Sequence, residues 1–234
     1  MPSNRKLSNR LLDALPSAVF ARLESHLEPV ELTLGKEIHA PGDTAEFAYF
    51  PTSGLISVVA TMNDGASVEI GVAGNDGMFS VATILGDETP SQRAMVQLPG
   101  KALRIKARRF RREMQADSAT HRMLLRYAMA MLSAVAQTAA CNRLHNLEQR
   151  CARWLLTAHD RAGDNRFPLT HEFLAMMLGV RRPGVTLAAQ SLQTAGLITY
   201  YHGIMTVLDR RGLEATSCEC YRAIQDDFNR LMES

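Results

Sequence analysis

The chain has 234 residues, 46% of them hydrophobic, with 26 Lys and Arg against 24 Asp and Glu. That length suits two modest domains with packed cores, and a net charge of +2 excludes a general polycation, so any nucleic-acid interface has to come from local clustering. No apolar run approaches the roughly 20 residues of a bilayer span. The opening MPSNRKLSNRLLDALP also lacks a signal-peptide core. The sequence therefore predicts a soluble cytoplasmic protein without a membrane partner.

In chain order, residues 7–27 place Leu11, Leu12, Leu15, Val19, Phe20, Leu23 and Leu27 at helical spacing, which predicts one or two short amphipathic helices. Beyond Pro29 the texture changes to short apolar runs between turn residues: VELTL, EIHA, AYF, LISVVATM and SVEIGV, then AMVQLPG and KALRIKA. Asp64-Gly65 between two β-rich runs is a hairpin signal, because tight hairpin turns need the left-handed conformation that glycine adopts freely. Several short strands at this spacing predict an antiparallel β-roll.

From about Phe110 the pattern turns helical. Leu124, Ala128, Met131, Val135 and Thr138 step by four and three, and Leu125, Met129, Leu132, Ala136 and Ala139 form a second stripe beside them. Both stripes must be buried. One on the roll and one on a twin helix satisfies both, which predicts a homodimer through residues 119–143. A polar break at 142–146 precedes another amphipathic helix, LEQRCARWLLTAHDRAG, which carries the only tryptophan, Trp154. Gly163-Asp164-Asn165 ends it.

Residues 169–198 read LTHEFLAMMLGVRRPGVTLAAQSLQTAGLI. Thr170 is a candidate N-cap with Glu172 in the first turn. Phe173, Leu174, Met177 and Leu178 make an apolar face, and Gly179 stops the helix. A second helix starts near Arg182, where Pro183 is tolerated because first-turn N–H groups lack intrahelical partners. Its buried face is Val185, Ala188, Ala189 and Leu192. Residues 196–208 then read as a hairpin turning at His202-Gly203, a wing, followed by Arg210 and Arg211. Short helix, glycine turn, second helix and wing predict a winged helix-turn-helix. The second helix of such a motif enters the major groove by its N-terminal end.

The four cysteines, Cys141, Cys151, Cys218 and Cys220, suit neither a disulfide framework nor a C-x-x-C motif. They read as thiols of a reducing compartment, with no metal site expected. No catalytic constellation is present: the seven histidines are scattered without H-x-H, which argues against a cupin-like metalloenzyme, and no Ser/His/Asp set or phosphate-binding loop occurs. The basic run KALRIKARRFRRE has two readings, a contact to polymerase or flanking DNA and a solvated face; the second is favoured.

A β-roll, a long helix and a winged helix-turn-helix resemble the cyclic-AMP receptor protein and FNR (CRP/FNR) family of bacterial transcription regulators. The glycine-punctuated strands of 35–77 and LAMMLGVRRPGV within 170–185 carry the resemblance best, which extends over 11–208. It implies an α+β fold: a β-roll sensor of the cyclic-nucleotide-binding jelly-roll type at 1–117, a dimerisation helix and hinge at 118–145, and a winged helix-turn-helix at 146–234. It implies double-stranded DNA, a second copy of the chain and RNA polymerase as partners.

The resemblance also assigns residues. Arg182 matches the base-reading arginine early in the recognition helix, while Pro183 and Leu187 replace two further base readers. Val185 and Thr186 are candidates for thymine methyls, Arg181, Thr170 and Gln190 for phosphates, and Gly184 and His202 complete the expected DNA-facing set. In the sensor, Arg93 fits the phosphate-binding arginine of family members. Ala94 stands where Ser or Thr follows it, and no glutamate occupies the ribose-binding place near Ser80 or Val81. The residues therefore imply a regulator that does not use cyclic AMP; the alternative is a cyclic-nucleotide-responsive member of the same family. The sensor half has no cysteine for an iron–sulfur cluster. His26, His39 and His121 leave haem ligation open, and no other cofactor is expected.

Overall fold

The computed structural model describes residues 7–233; residues 1–6 and 234, at the two ends of the expected sensor and DNA-binding segments, lie outside it. Two short helices, α1 (Arg10–Asp13) and α2 (Ser17–Glu24), open the chain. Buried Asn9 caps α1 by accepting from Leu12 N–H, and its amide donates to the carbonyls of Pro51 and Gly77, which ties the helix to the roll. The sheet follows as β1 (Glu28–Leu32), β2 (Glu37–His39), β3 (Phe47–Thr61), β4 (Ser67–Ala73) and β5 (Arg93–Lys106), with a short helix α3 (Val81–Leu85) before β5. Its antiparallel order is β1-β5-β3-β4, with β2 also on β5.

Two pairs of expected strands are each one continuous strand. Residues 48–50 and 55–62 belong to β3, apart from the last residue, and 94–107 lie almost wholly in β5. Register shifts between Pro51 and Ile56 absorb the proline and let pairing run on. At this bend the two strands cross closely. A Cβ added to Gly54 (φ +80°) would lie 2.7 Å from the Leu98 carbonyl oxygen, and one on Gly100 would collide with the Ser53 carbonyl. Only glycine fits on both sides of the crossing.

The helical half begins with α4 (Ala107–Gln115), then α5 (Ser118–Leu144), which starts at Asp117, whose carboxylate accepts from Thr120 N–H at 2.7 Å. The polar break expected at 142–146 shrinks to His145 and Asn146. The latter already forms a capping box with Gln149 at the start of α6 (Leu147–Ala162). At 1.5 Å per residue α5 is about 40 Å long. By length and composition α5 is apolar enough to cross a bilayer, which corrects the expectation that no segment is. Protein accounts for one side of it: Met123, Leu124, Tyr127 and Ala130 are buried with Phe20, Phe50, Phe110 and Phe228. The buried Tyr127 hydroxyl both donates to the Met78 carbonyl and accepts from Met78 N–H, at 2.8 Å each, so it carries no unpaired polar atom.

The remaining elements are β6 (Arg166–Pro168), α7 (His171–Leu178), α8 (Arg182–Thr194), β7 (Ile198–Tyr201), β8 (Ile204–Val207), α9 (Arg210–Thr216) and α10 (Cys220–Glu233). Strands β6, β8 and β7 form a small antiparallel sheet. Helix α10 returns antiparallel along α5, with Cys220 near Gln137 and Phe228 edge-on to Tyr127 at 5.8 Å. Trp154, Leu155, Leu174, Val185 and Ile198 form a core that also takes in Leu55, Val59 and Leu98 of the roll. The roll and the helical half thus share one apolar interior.

Candidate nucleic-acid interface and sensor cavity

Helix α7 begins at Thr170, whose hydroxyl accepts from Phe173 N–H at 3.1 Å. It ends at Gly179 in the left-handed conformation (φ +62°), where an added Cβ would also press within 2.9 Å of Val68 on β4. The turn between the two helices therefore rests on the roll. Helix α8 has Arg181 as its N-cap residue and Pro183 in its first turn. Its buried face is Val185, Ala188, Ala189 and Leu192; Arg181, Arg182, Pro183, Leu187 and Gln190 stand in solvent. Pro183 has no N–H and the Gly184 N–H donates to the Arg181 carbonyl at 3.0 Å, so the positive character of this helix end rests on the two arginines.

Most of the expected DNA-facing set is accessible. Thr170, Arg181, Arg182, Gln190 and His202 are exposed. Gly184 is half-buried against Leu147. Thr186 is half-buried, with its hydroxyl donating to the Arg182 carbonyl and meeting His171 Nδ1 at 3.1 Å. Val185 is a correction: it is fully buried in the core beneath α8 and cannot touch a base edge, because the helical phase points it inward with Leu192. His202 sits at the wing tip with φ +47°, edge-on to Tyr201 at 4.1 Å. His171 stacks on Tyr200 at 4.1 Å and so pins the wing to α7, a contact that nothing local in the sequence signals. Partial burial, then the Arg182 charge, hold the His171 imidazole below its ordinary pKa, which favours the neutral ring.

Other arginines are committed elsewhere. Arg210 pairs with Asp160 at 2.7 Å and Glu214 at 3.0 Å and bonds to Tyr221, so it ties α9 to α6 rather than facing outward. Part of the basic run is paired as well: Arg104 with Glu28, Lys106 with Glu46, Arg109 with Glu113 and Arg111 with Glu88.

In the sensor half, a cavity of about 560 Å³ lies between the roll and α5, lined among others by Val58, Ile70, Met78, Leu125, Met129 and Leu132. Ser80 and Gln92 are its polar lining, and no charged residue borders it among the described residues. Arg93 is not on this wall. It pairs with Glu37 at 3.0 Å on the β2–β5 edge, and Ala94 is buried inside the roll. His26, His39 and His121 are likewise absent from the lining, and His39 Nε2 is 3.1 Å from the Pro90 carbonyl.

Two contacts lock the halves together. Trp154 Nε1 donates to Glu69 on β4, which also accepts from the Ser57 hydroxyl, and Arg161 pairs with Asp76. Burial pushes the Glu69 carboxyl up to about 7, against the opposing pull of these hydrogen bonds and of Arg153 and Arg161. A further group, Cys141, His145, Cys218 and Cys220, gathers where α5, α6 and α10 meet. The hydrogen bond from Cys218 holds the Cys141 thiol below the usual thiol range, and the Arg153 charge adds to this. Taken separately, Cys141-x-x-x-His145 and Cys218-x-Cys220 were the available sequence signals for that group.

A roll with a cavity under a long helix, joined to an exposed recognition helix and wing, defines a two-domain DNA-binding regulator. Comparisons with known proteins agree. A model of the cyclic nucleotide-binding domain matches residues 29–117, and one of the Crp-like helix-turn-helix domain matches residues 149–216. A protein described as a transcriptional regulator of the crp/fnr family from Eubacterium rectale has a similar structure, with TM-score 0.67 at 22% identity, over 89% of this chain and 98% of that one. FixK2 from Bradyrhizobium japonicum matches with TM-score 0.69 at 16% identity, over 82% and 98%. A CRP-family transcriptional regulator from Thermus thermophilus matches with TM-score 0.67 at 19% identity, over 80% and 96%. No match was found among curated proteins. The chain thus joins a cyclic nucleotide-binding domain to a Crp-like helix-turn-helix domain, in the order and fold of CRP/FNR transcription regulators.

Proposed function

We propose that this regulator acts in the cytoplasm as a homodimer, reads a two-fold symmetric operator, and works on RNA polymerase bound nearby. The observation that carries the reading is the face of α5 left in water: Leu125, Met129, Leu132, Ala136 and Ala139 are all exposed, at steps of four and three, while Leu124 and Ala128 on the neighbouring stripe are buried. A twin helix on that seam removes Leu and Met side chains from water at about 1.5–3 kcal/mol each and closes the apolar cavity that Leu125, Met129 and Leu132 border. Two recognition helices related by a dyad then meet half-sites about one helical turn apart. Arg182 reads a guanine edge, and Arg181, Thr170 and Gln190 hold phosphates.

Cyclic nucleotides are not its effectors in this reading. A cyclic phosphate and ribose need charge-assisted partners, and the wall of the cavity offers Ser80 and Gln92 alone. Sedimentation of the protein, alone and with an operator selected from random DNA, tests the proposal. A dimer protecting two half-sites is expected; a stable monomer bound to one half-site would end the proposal.

A further inference from the structure

We propose that Cys141, His145, Cys218 and Cys220 bind one zinc-class divalent ion that clamps the joint between the long helix and the DNA-binding domain. The four ligand atoms all lie within 4.8 Å of one another. Cys141 Sγ is 3.5 Å from Cys218 Sγ, and Cys220 Sγ is 3.5 Å from His145 Nδ1. A tetrahedral ion with metal–sulfur bonds of about 2.3 Å places its sulfur ligands about 3.8 Å apart, so these atoms already stand near the corners of such a site. Three thiolates and an imidazole are a ligand set of structural zinc. An iron–sulfur cluster inserts a whole cage between its thiolates and needs them farther apart.

A second observation points the same way. The other ring nitrogen of His145, Nε2, is 3.2 Å from a Glu219 carboxylate oxygen. A metal-bound histidine characteristically donates its free N–H to a carboxylate, which fixes the tautomer and turns the opposite nitrogen toward the ion. Here that opposite nitrogen is Nδ1, the one facing Cys220. Gln137 donates to Cys220 Sγ at 3.1 Å, a further support from α5. The three cysteines are buried together in a group of their own, apart from the apolar cores. Three thiolates and a divalent ion leave one negative charge, and the charges of Arg150 and Arg153 act on this cluster.

The ligands come from three places. Cys141 is in the last turn of α5, His145 is its C-cap residue, and Cys218 and Cys220 bracket the start of α10. An ion held by all four fixes the end of the long helix, the first residue of the hinge and the return of α10 at a single point. On binding, the thiols lose their protons to solvent.

The test uses the full chain, reduced and purified without chelator, incubated with zinc or cobalt(II) under anaerobic conditions and desalted. One ion per chain is expected, with the cobalt form showing the intense visible bands of a tetrahedral thiolate site. The Cys141→Ser/Cys218→Ser variant should lose both signals. Glu219→Gln, at an exposed side chain whose replacement leaves the packing alone, should retain the fold and weaken metal retention by about 10–100-fold. The proposal is overturned by a reduced wild-type chain that retains no ion, by undiminished stoichiometry in the double cysteine variant, or by a Cys141–Cys218 disulfide that forms quantitatively and is unaffected by zinc.

Discussion

The indole N–H of Trp154 on α6 donates to the Glu69 carboxylate on β4 at 2.9 Å, so the single tryptophan of the chain reports on the contact between sensor and DNA-binding halves. Glu69 also makes that contact sensitive to pH. Its pKa is about 7 in the docked arrangement, above the value of 4.5 for a free glutamate, so the docked form holds the extra proton between those limits. Its contribution to docking is fully present below 4.5 and is lost as pH rises through 7. Trp154 emission should therefore shift toward that of a water-exposed indole as pH rises through about 7, and Glu69→Gln should flatten the titration. An unchanged titration in Glu69→Gln would assign the effect to another group.

Leu132 is 60% exposed and lies in the middle of the free stripe on α5. In the proposed dimer, Leu132→Glu buries an unpaired charge at a cost of about 3–5 kcal/mol. Sedimentation should show the variant shifted to monomer at concentrations where the wild type is dimeric, with its circular dichroism unchanged. Met131 and Val135 are weaker positions for this substitution, since both line the cleft between β4, α5 and α6.

Arg182→Ala should cost about 1–3 kcal/mol per half-site and flatten preference at one base pair. Arg181→Ala should weaken all sequences alike and reduce the slope of affinity with salt. Binding of both variants to the selected operator, its single-base changes and random DNA over a salt series separates the roles. If base preference survives Arg182→Ala intact, specificity lies elsewhere on α8 or in DNA shape.

Calorimetric titration with cyclic AMP and cyclic GMP should show no binding in the micromolar range. Micromolar binding that disappears in Arg93→Ala would mean that Arg93 leaves Glu37 to meet a ligand.

The helix-turn-helix was legible in sequence because its signals are local: Thr170 caps, Gly179 turns the chain, and the apolar period fixes the inner face of α8. Val185 shows how that legibility failed at one residue. The apolar period puts it on the inner face, the resemblance offers it to DNA, and its complete burial leaves only the first. The fused strands β3 and β5 were hidden because Pro51 and Gly54 look like turns, while pairing to the opposite strand carries the backbone past them. Contacts made across long separations were not legible at all. Glu69 meets Trp154 across 85 positions and Cys141 meets Cys218 across 77, and no pattern in either segment anticipates the return of α10 along α5.

The shared interior has a thermodynamic consequence. Leu55, Val59 and Leu98 of the roll are packed in the same core as Trp154, Leu155 and Ile198, so neither half can melt without exposing the apolar face of the other. Where two domains meet only through a linker, each has its own heat-absorption peak. This chain should instead absorb heat in one peak, and a cavity cut at Leu155 should lower the melting of roll and winged helix together.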